Sequence, residues 1–300
     1  MAAAAFAAVV ATGCGLGPGR GSSNVTLKVT RAFGQKRVRS ITEARVPGSE
    51  TVMRMLERSF NVRTRYGGGF VESINGLSGS SSRLDWFYYV NGVEAPVGAA
   101  STAVHKGDSI WWDLHDWSAT DAIPAVVGSF PEPFVHGTGG KRLPTTLECA
   151  PGAAGACSIV TKALTASGVP VASQLVGTGS GSDSIGVLVG TWQQLKDVIA
   201  GRLIDRGPGA SGVYARFASN STRLELLDPR GSVRRTLGPG AGLVAATASG
   251  GSNLTWFITG VDSPGVLAAA RALTAARLHN NFALALSGTS DIPLPLEATR

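Results

Sequence analysis

From residue 25 to residue 117 apolar and polar positions alternate in short runs. VTLKVTRAF (25–33) alternates strictly enough to predict a strand, and ITEARV (41–46) predicts a second. PGSETVMRMLERSF (47–60) then changes period. Val52, Met55, Leu56 and Phe60 fall on one helical face, with Ser49 placed as N-cap and Glu50 in the first turn. YGGGFVESING (66–76) predicts a turn, a strand and another turn. DWFYYVNG (85–92) predicts a strand closed by an Asn-Gly turn, and SIWWDLHDW (109–117) a further strand after the turn HKGD. Two strands, a helix and several more strands make a mixed sheet crossed by one helix.

VHGTGGKRLPTT (135–146) is polar and glycine-rich and marks a boundary. Beyond it, CSIVTKALTASG (157–168) predicts a helix ending at Gly168, and IGVLVG (185–190) a buried strand. WQQLKDVIAGRLID (192–205) predicts one amphipathic helix with Leu195, Val198, Ile199 and Leu203 inward. GVYARFA, RLELLD, GLVAATA and LTWFITG follow as strands, SPGVLAAARALTAARL (263–278) as a helix capped by Ser263 with Pro264 first, and FALALSG (282–288) as the last strand. The pattern predicts an α+β chain: a unit over 24–136, a linker over 137–146, and an α/β sandwich-like unit over 147–300 with helices on one face of its sheet.

GSETVMRMLER, YGGGFVESINGL, DWFYYVNG and HKGDSIWW together resemble the bacterial transcobalamin-like C-terminal domain. Trp86, Tyr88, Val90, Asn91 and Gly92 match its W-x-Y-x-V-N-G element, and Gly107, Asp108, Ile110 and Trp112 match its G-D-x-I-x-W element. The resemblance covers residues about 25–120 and implies a β-grasp-like fold. In animal vitamin B12 carriers the related domain packs over one face of cobalamin, beside a helical barrel domain. No such barrel sequence is present here, so the resemblance implies the fold more than the ligand; cobalamin or another planar molecule is the ligand it suggests.

Period two sorts the two tryptophan-bearing strands into faces. Trp86, Tyr88, Val90, Ile110, Trp112 and Leu114 should be core beneath the helix. Phe87, Tyr89, Trp111, Asp113, His115 and Trp117 are left on the other face. A half-exposed sheet would carry Thr, Lys or Glu there. Rings worth about 150–250 Å² each instead mark a surface that something covers. Three covers fit: a flat or sugar-like ligand with Asp113 and His115 hydrogen-bonding, a partner protein, or the chain's own second unit or AVVGSFPEPF (125–134). Asp113 and His115 are two metal donors, and two do not make a metal site. No nucleophile or oxyanion motif accompanies them, Ser211 lacks a nucleophile elbow, and the glycine-rich stretches lack the spacing of phosphate loops. The expectation is therefore a non-enzymatic protein.

Composition sharpens this. Hydrophobic residues at 43% against 16% charged are enough for sizeable cores. The net charge of +7 is scattered, and aromatic residues are not interleaved with it, which argues against a nucleic-acid surface. Cys149 and Cys157 frame ECAPGAAGAC, a loop able to close as a disulfide in an exported protein; two buried thiols are the alternative. At the N-terminus, MAAAAFAAVVATGC is an apolar run too short to span a membrane. Ala11-Thr12-Gly13-Cys14 resembles a bacterial lipoprotein signal, in which the chain is cut before a cysteine that then carries lipid. Residues 1–23 then read as signal and tether; the alternatives are a plain secretion signal or a short cytosolic Ala-rich tail. No Lys or Arg precedes the run, a departure that a start further upstream would repair. The sequence thus predicts a binding lipoprotein on the outer face of the cell membrane, taking a small-molecule ligand. The alternative is a structural or docking subunit of a membrane or transporter complex.

Overall fold

The computed structural model describes residues 24–80, 83–249 and 252–297, so the signal-like segment with Cys14 lies outside the described residues. The first unit holds strands β1 (Val25–Arg31), β2 (Lys36–Glu43), β3 (Val62–Arg65), β4 (Phe70–Ile74), β5 (Leu77–Ser78), β6 (Leu84–Val90), β7 (Val93–Glu94) and β8 (Ser109–Asp116), with helix α1 (Val52–Ser59). Five strands form a mixed sheet in the order β2-β1-β8-β6-β7, in which β1 and β8 run parallel. Strands β3, β4 and β5 form a small antiparallel sheet.

Helix α1 sets Val52, Met55 and Leu56 against Val25, Leu27, Val29, Trp86, Ile110 and Trp112, so the helix face and the motif-bearing strand face make one apolar core. The helix starts later than its sequence suggests. Pro47 to Glu50 form a turn, and Thr51 rather than Ser49 caps the helix, its Oγ1 accepting from the Arg54 N–H at 3.3 Å. Glu50 is not in the first turn but buried, paired with Arg58. Strand β2 covers 36–43 instead of 41–46, since it forms only as far as β1 offers partners.

The second unit adds β9 (Thr145–Cys149), β10 (Val171–Leu175), β11 (Ile185–Thr191), β12 (Ala215–Phe217), β13 (Leu224–Leu227), β14 (Val233–Leu237), β15 (Gly242–Ser249), β16 (Ser252–Gly260), β17 (Ala283–Ser287) and β18 (Ser290–Leu294). Its helices are α2 (Ala154–Ala166), α3 (Trp192–Leu195), α4 (Ile199–Asp205), α5 (Pro208–Ser211), α6 (Ser263–Ala272) and α7 (Ala275–Leu278). Seven strands form one sheet, β10-β9-β11-β16-β15-β17-β18, parallel across the first four and antiparallel thereafter. Cys149 and Cys157 are joined as a disulfide, tying the end of β9 to α2.

Both faces of this sheet are buried, and alternation assigns them. Val187, Val189, Val244, Trp256 and Ile258 face α2 and α6. Leu188, Leu243, Ala245, Phe257 and Ala285 face the other way, into a core shared with α4, the small β12–β14 sheet and the first unit. Helices α2 and α6 take the single face expected of them; the opposite face was not foreseen as buried.

Two long helices predicted from sequence are broken. Residues 192–205 split at Val198, whose backbone is extended, because Gly201 folds back onto the end of α3: a Cβ there would lie 2.3 Å from the Leu195 oxygen. The break re-aims the face, so Leu195, Ala200 and Ile204 are buried while Ile199 is 75% exposed. In the second, Asp262 rather than Ser263 is the cap, accepting from the Gly265 N–H at 2.9 Å, and the helix stops at Ala272. Thr274 starts α7 afresh. Strand β18 follows the strand expected to be last.

Candidate functional site

The aromatic face of β6 and β8 is covered. Tyr89, Trp111, Asp113 and His115 are each at most 1% exposed. Their cover is the chain itself, as one of the three covers required. Phe282 from the second unit sits edge-on to Trp111 at 5.2 Å, to Tyr89 at 5.5 Å and to His115 at 5.4 Å. Phe33, from the β1–β2 turn, packs edge-on against Tyr214 and Phe282 and stacks on His115. Phe87 is half-buried and stacks on the other side of the imidazole, 4.4 Å away. Trp117 lies beyond β8, partly exposed, and donates to the Asp85 carboxylate at 2.8 Å. Of the three covers, the chain's own second unit is the one present, and this face is an interdomain core. Of the segment 125–134, Val126 joins this core, while Phe130 and Phe134 pack on Trp256, on the far side of the large sheet.

A polar chain runs through this core. The Trp111 indole N–H donates to Thr30 Oγ1 at 2.6 Å, and the Thr30 hydroxyl donates to Asp113 Oδ2. The backbone N–H groups of Phe33 and Gly34 donate to the two Asp113 oxygens at 2.9 Å each, and His115 Nδ1 lies 3.0 Å from Oδ1. A fully buried carboxylate survives only when so furnished. The turn that supplies those N–H groups holds Ala32, Phe33 and Gly34 all at positive φ, strained for the two non-glycine residues. Gly34 has no alternative, since a Cβ would lie 1.9 Å from the Asn280 oxygen of the second unit. The Lys28 ammonium sits 3.6 Å over the Trp111 ring. Burial lowers its pKa to about 7, against the pull of Asp113. Glu94, at the same seam, accepts from the Ile123 N–H, and its burial raises its carboxyl to about 7. Burial also raises the Tyr89 phenol well above its usual value.

Sequence reasoning did not find Lys28, Thr30, Phe33, Tyr214 or Phe282. The parallel register sets Lys28 beside Trp111 and Thr30 beside Asp113, and nothing local announces that pairing.

At the edge of this core the two units leave a cleft of about 260 Å³. Phe33, Leu84, Leu114 and His115 line it from the first unit. Pro229, Pro295 and Leu296 line it from the second. Arg31, Gln35, Lys36, Asp116 and Glu297 also line it, although most of the surface it exposes is apolar. A smaller cavity, about 140 Å³, lies beyond the ends of β9 and β11, lined by Gly152, Thr191, Gln194 and Ser263. The chain leaves those neighbouring strands in opposite directions, the place where open α/β sheets bind ligands, though none of its lining residues is charged. Among the described residues no cluster of three or more His, Cys, Asp or Glu could hold a metal ion.

The motif residues of the first unit prove structural. Asn91 donates to Asp108 at 2.9 Å and to the Gly137 oxygen at 2.8 Å, and accepts from the Ser109 N–H. Asn91 and Gly92 both take left-handed backbone at the turn from β6 to β7. No curated protein sequence matches the chain significantly. Among solved structures, the chain is similar to a candidate metal-binding protein from Ruminococcus gnavus ATCC 29149, at 16% identity and a TM-score of 0.27, over 32% of this chain and 98% of that one. It is also similar to haptocorrin in complex with Cbi, at 17% identity and a TM-score of 0.24, over 31% of this chain and only 26% of haptocorrin. Residues 49–116 match the family described as Domain of unknown function (DUF4430).

Proposed function

We propose that this is a non-enzymatic binding protein that works outside the cytoplasmic membrane, held there through Cys14, and that it takes a small molecule in the cleft between its two units. The cleft carries the reading: about 260 Å³, walled by both units, mostly apolar, with a buried histidine in its lining. A concave, largely apolar site at a domain boundary is where small ligands bind. The Cys149–Cys157 disulfide supports an oxidising compartment. A corrinoid does not follow, because the aromatic face it would have stacked on is filled by Phe33, Tyr214 and Phe282.

Fragment screening by ligand-observed NMR on the full chain tests this. The expected hits disappear in Leu84→Trp, which fills the cleft from β6. Hits that survive the filled cleft, or no hits at all, would sink the proposal. Adding cobalamin should leave Trp111 fluorescence unchanged. Membrane tethering is tested separately, by whether Cys14→Ala releases the protein from its membrane fraction.

The docking alternative keeps one observation. Tyr66 is 87% exposed at the β3–β4 tip, in ring contact with the exposed Phe70. A partner captured from detergent-solubilised membranes and lost in Tyr66→Ser would favour it.

A further inference from the structure

We infer that His115 reads the polar end of the ligand, its Nε2 accepting a hydrogen bond, so that the cleft selects apolar molecules bearing a hydroxyl group over the same molecules without one. This rests on the cleft being the binding site.

The hydrogen-bond chain fixes where the protons are. An indole N–H can only donate, so the Thr30 hydroxyl accepts from Trp111 and turns its own proton to Asp113. Backbone N–H groups can only donate, and one reaches each Asp113 oxygen. The carboxylate is thus an acceptor throughout, so an imidazole that carries a single proton carries it on Nδ1, facing Asp113. That leaves a lone pair on Nε2.

Packing fixes where that lone pair points. Phe33 covers one face of the ring at 4.7 Å and Phe87 the other at 4.4 Å, both stacked. Asp113 occupies the Nδ1 side, and Phe282 meets the ring edge-on. His115 nevertheless lines the cleft, so the edge it lends to the cleft carries Nε2. No described residue hydrogen-bonds to that atom. It is a rigid acceptor, 99% buried with its ring, beside Phe33, Leu84, Leu114 and Leu296, in a cleft that Arg31, Lys36, Asp116 and Glu297 also line. A purely apolar occupant would leave it unpaired, and an unpaired buried acceptor is what lets a site reject an analogue that lacks the donor.

The test compares p-cresol with toluene on the full chain, following the Leu84, Leu114 and Leu296 methyl signals and the His115 ring nitrogens by NMR. Both compounds should move the methyls, with p-cresol about tenfold tighter, the span of one neutral hydrogen bond. Only p-cresol should shift Nε2. In His115→Phe, which keeps the stacked ring, the two should bind alike. Equal affinities in the unmodified protein with an unmoved Nε2 would overturn this inference and leave the cleft standing. Methyls that respond to neither compound would overturn the cleft and this inference together. The nitrogen shift is read on the unmodified chain, so the result does not depend on the variant folding.

Discussion

The two faces of β8 lie back to back and are built on different terms. One face, with Ile110, Trp112 and Leu114, packs beneath α1 in a cluster of apolar side chains and holds no ionisable group of its own. The other, with Trp111, Asp113 and His115, is equally dry but holds a carboxylate, an imidazole and, on β1, an ammonium. Apolar packing is tolerant, because volume can be redistributed among neighbours. A buried charge depends on each of its partners, and loss of one strands the rest. The same strand therefore carries a forgiving face and an exacting one.

The sharpest way to break this contrast is Asp113→Ala. Three N–H donors and a hydroxyl lose their acceptor, so unfolding stability should fall by about 3–5 kcal/mol, measured by urea denaturation. A loss below about 1 kcal/mol would show the network to be idle. Gly34→Ala comes next, since the added Cβ meets the Asn280 oxygen at positive φ. It should destabilise by about 2–4 kcal/mol and raise the rate of limited proteolysis between the units. An unchanged cleavage rate would mean that the seam yields without opening.

The pH dependence separates the two charges at the seam. Lys28 titrates near 7 in the folded chain against 10.5 as its ordinary value. Between those values the unfolded chain binds the extra proton, so stability rises with pH and is lost as pH falls through 7, with a slope of at most about 1.4 kcal/mol per pH unit. Glu94 works in the opposite sense, since its folded value is raised from 4.5 to about 7. Its contribution is present below pH 4.5 and is lost as pH rises through 7. Stability should therefore dip near pH 7. Lys28→Met should flatten the alkaline limb and Glu94→Gln the acid one; limbs that survive both substitutions would refute the assignment. The smallest effect belongs to the forgiving face: Ile110→Val should cost about 1 kcal/mol and leave the pH profile untouched.

Much of the forgiving face was legible in the sequence. Period two separated Ile110, Trp112 and Leu114 from Trp111, Asp113 and His115, and the helix face Val52-Met55-Leu56 was read in register. Those signals are local. The exacting face was legible only as an anomaly, too aromatic to stand open. Its cover comes from Tyr214 and Phe282, roughly 100 and 170 residues away along the chain, and no periodicity encodes a contact at that distance. Helix ends failed for a nearer reason: Ser49 and Thr51, like Asp262 and Ser263, are all acceptable caps, and tertiary packing chooses among them. The break at Val198 was hidden because Gly201 acts through a close approach that the linear pattern does not show.

Strand β8 also sets how this protein can be dissected. It is the middle strand of its sheet, hydrogen-bonded to β1 on one side and β6 on the other. The segment 49–116 contains β6 and β8 but not β1. Excised alone, it would present a bare strand edge along β8 and, on the face the second unit shields, Tyr89, Trp111 and an orphaned Asp113. Such an edge recruits other chains. The portion most easily recognised from sequence is thus the portion least able to stand as an independent piece, and swapping it between proteins would require carrying β1 and the surface of its neighbour along with it.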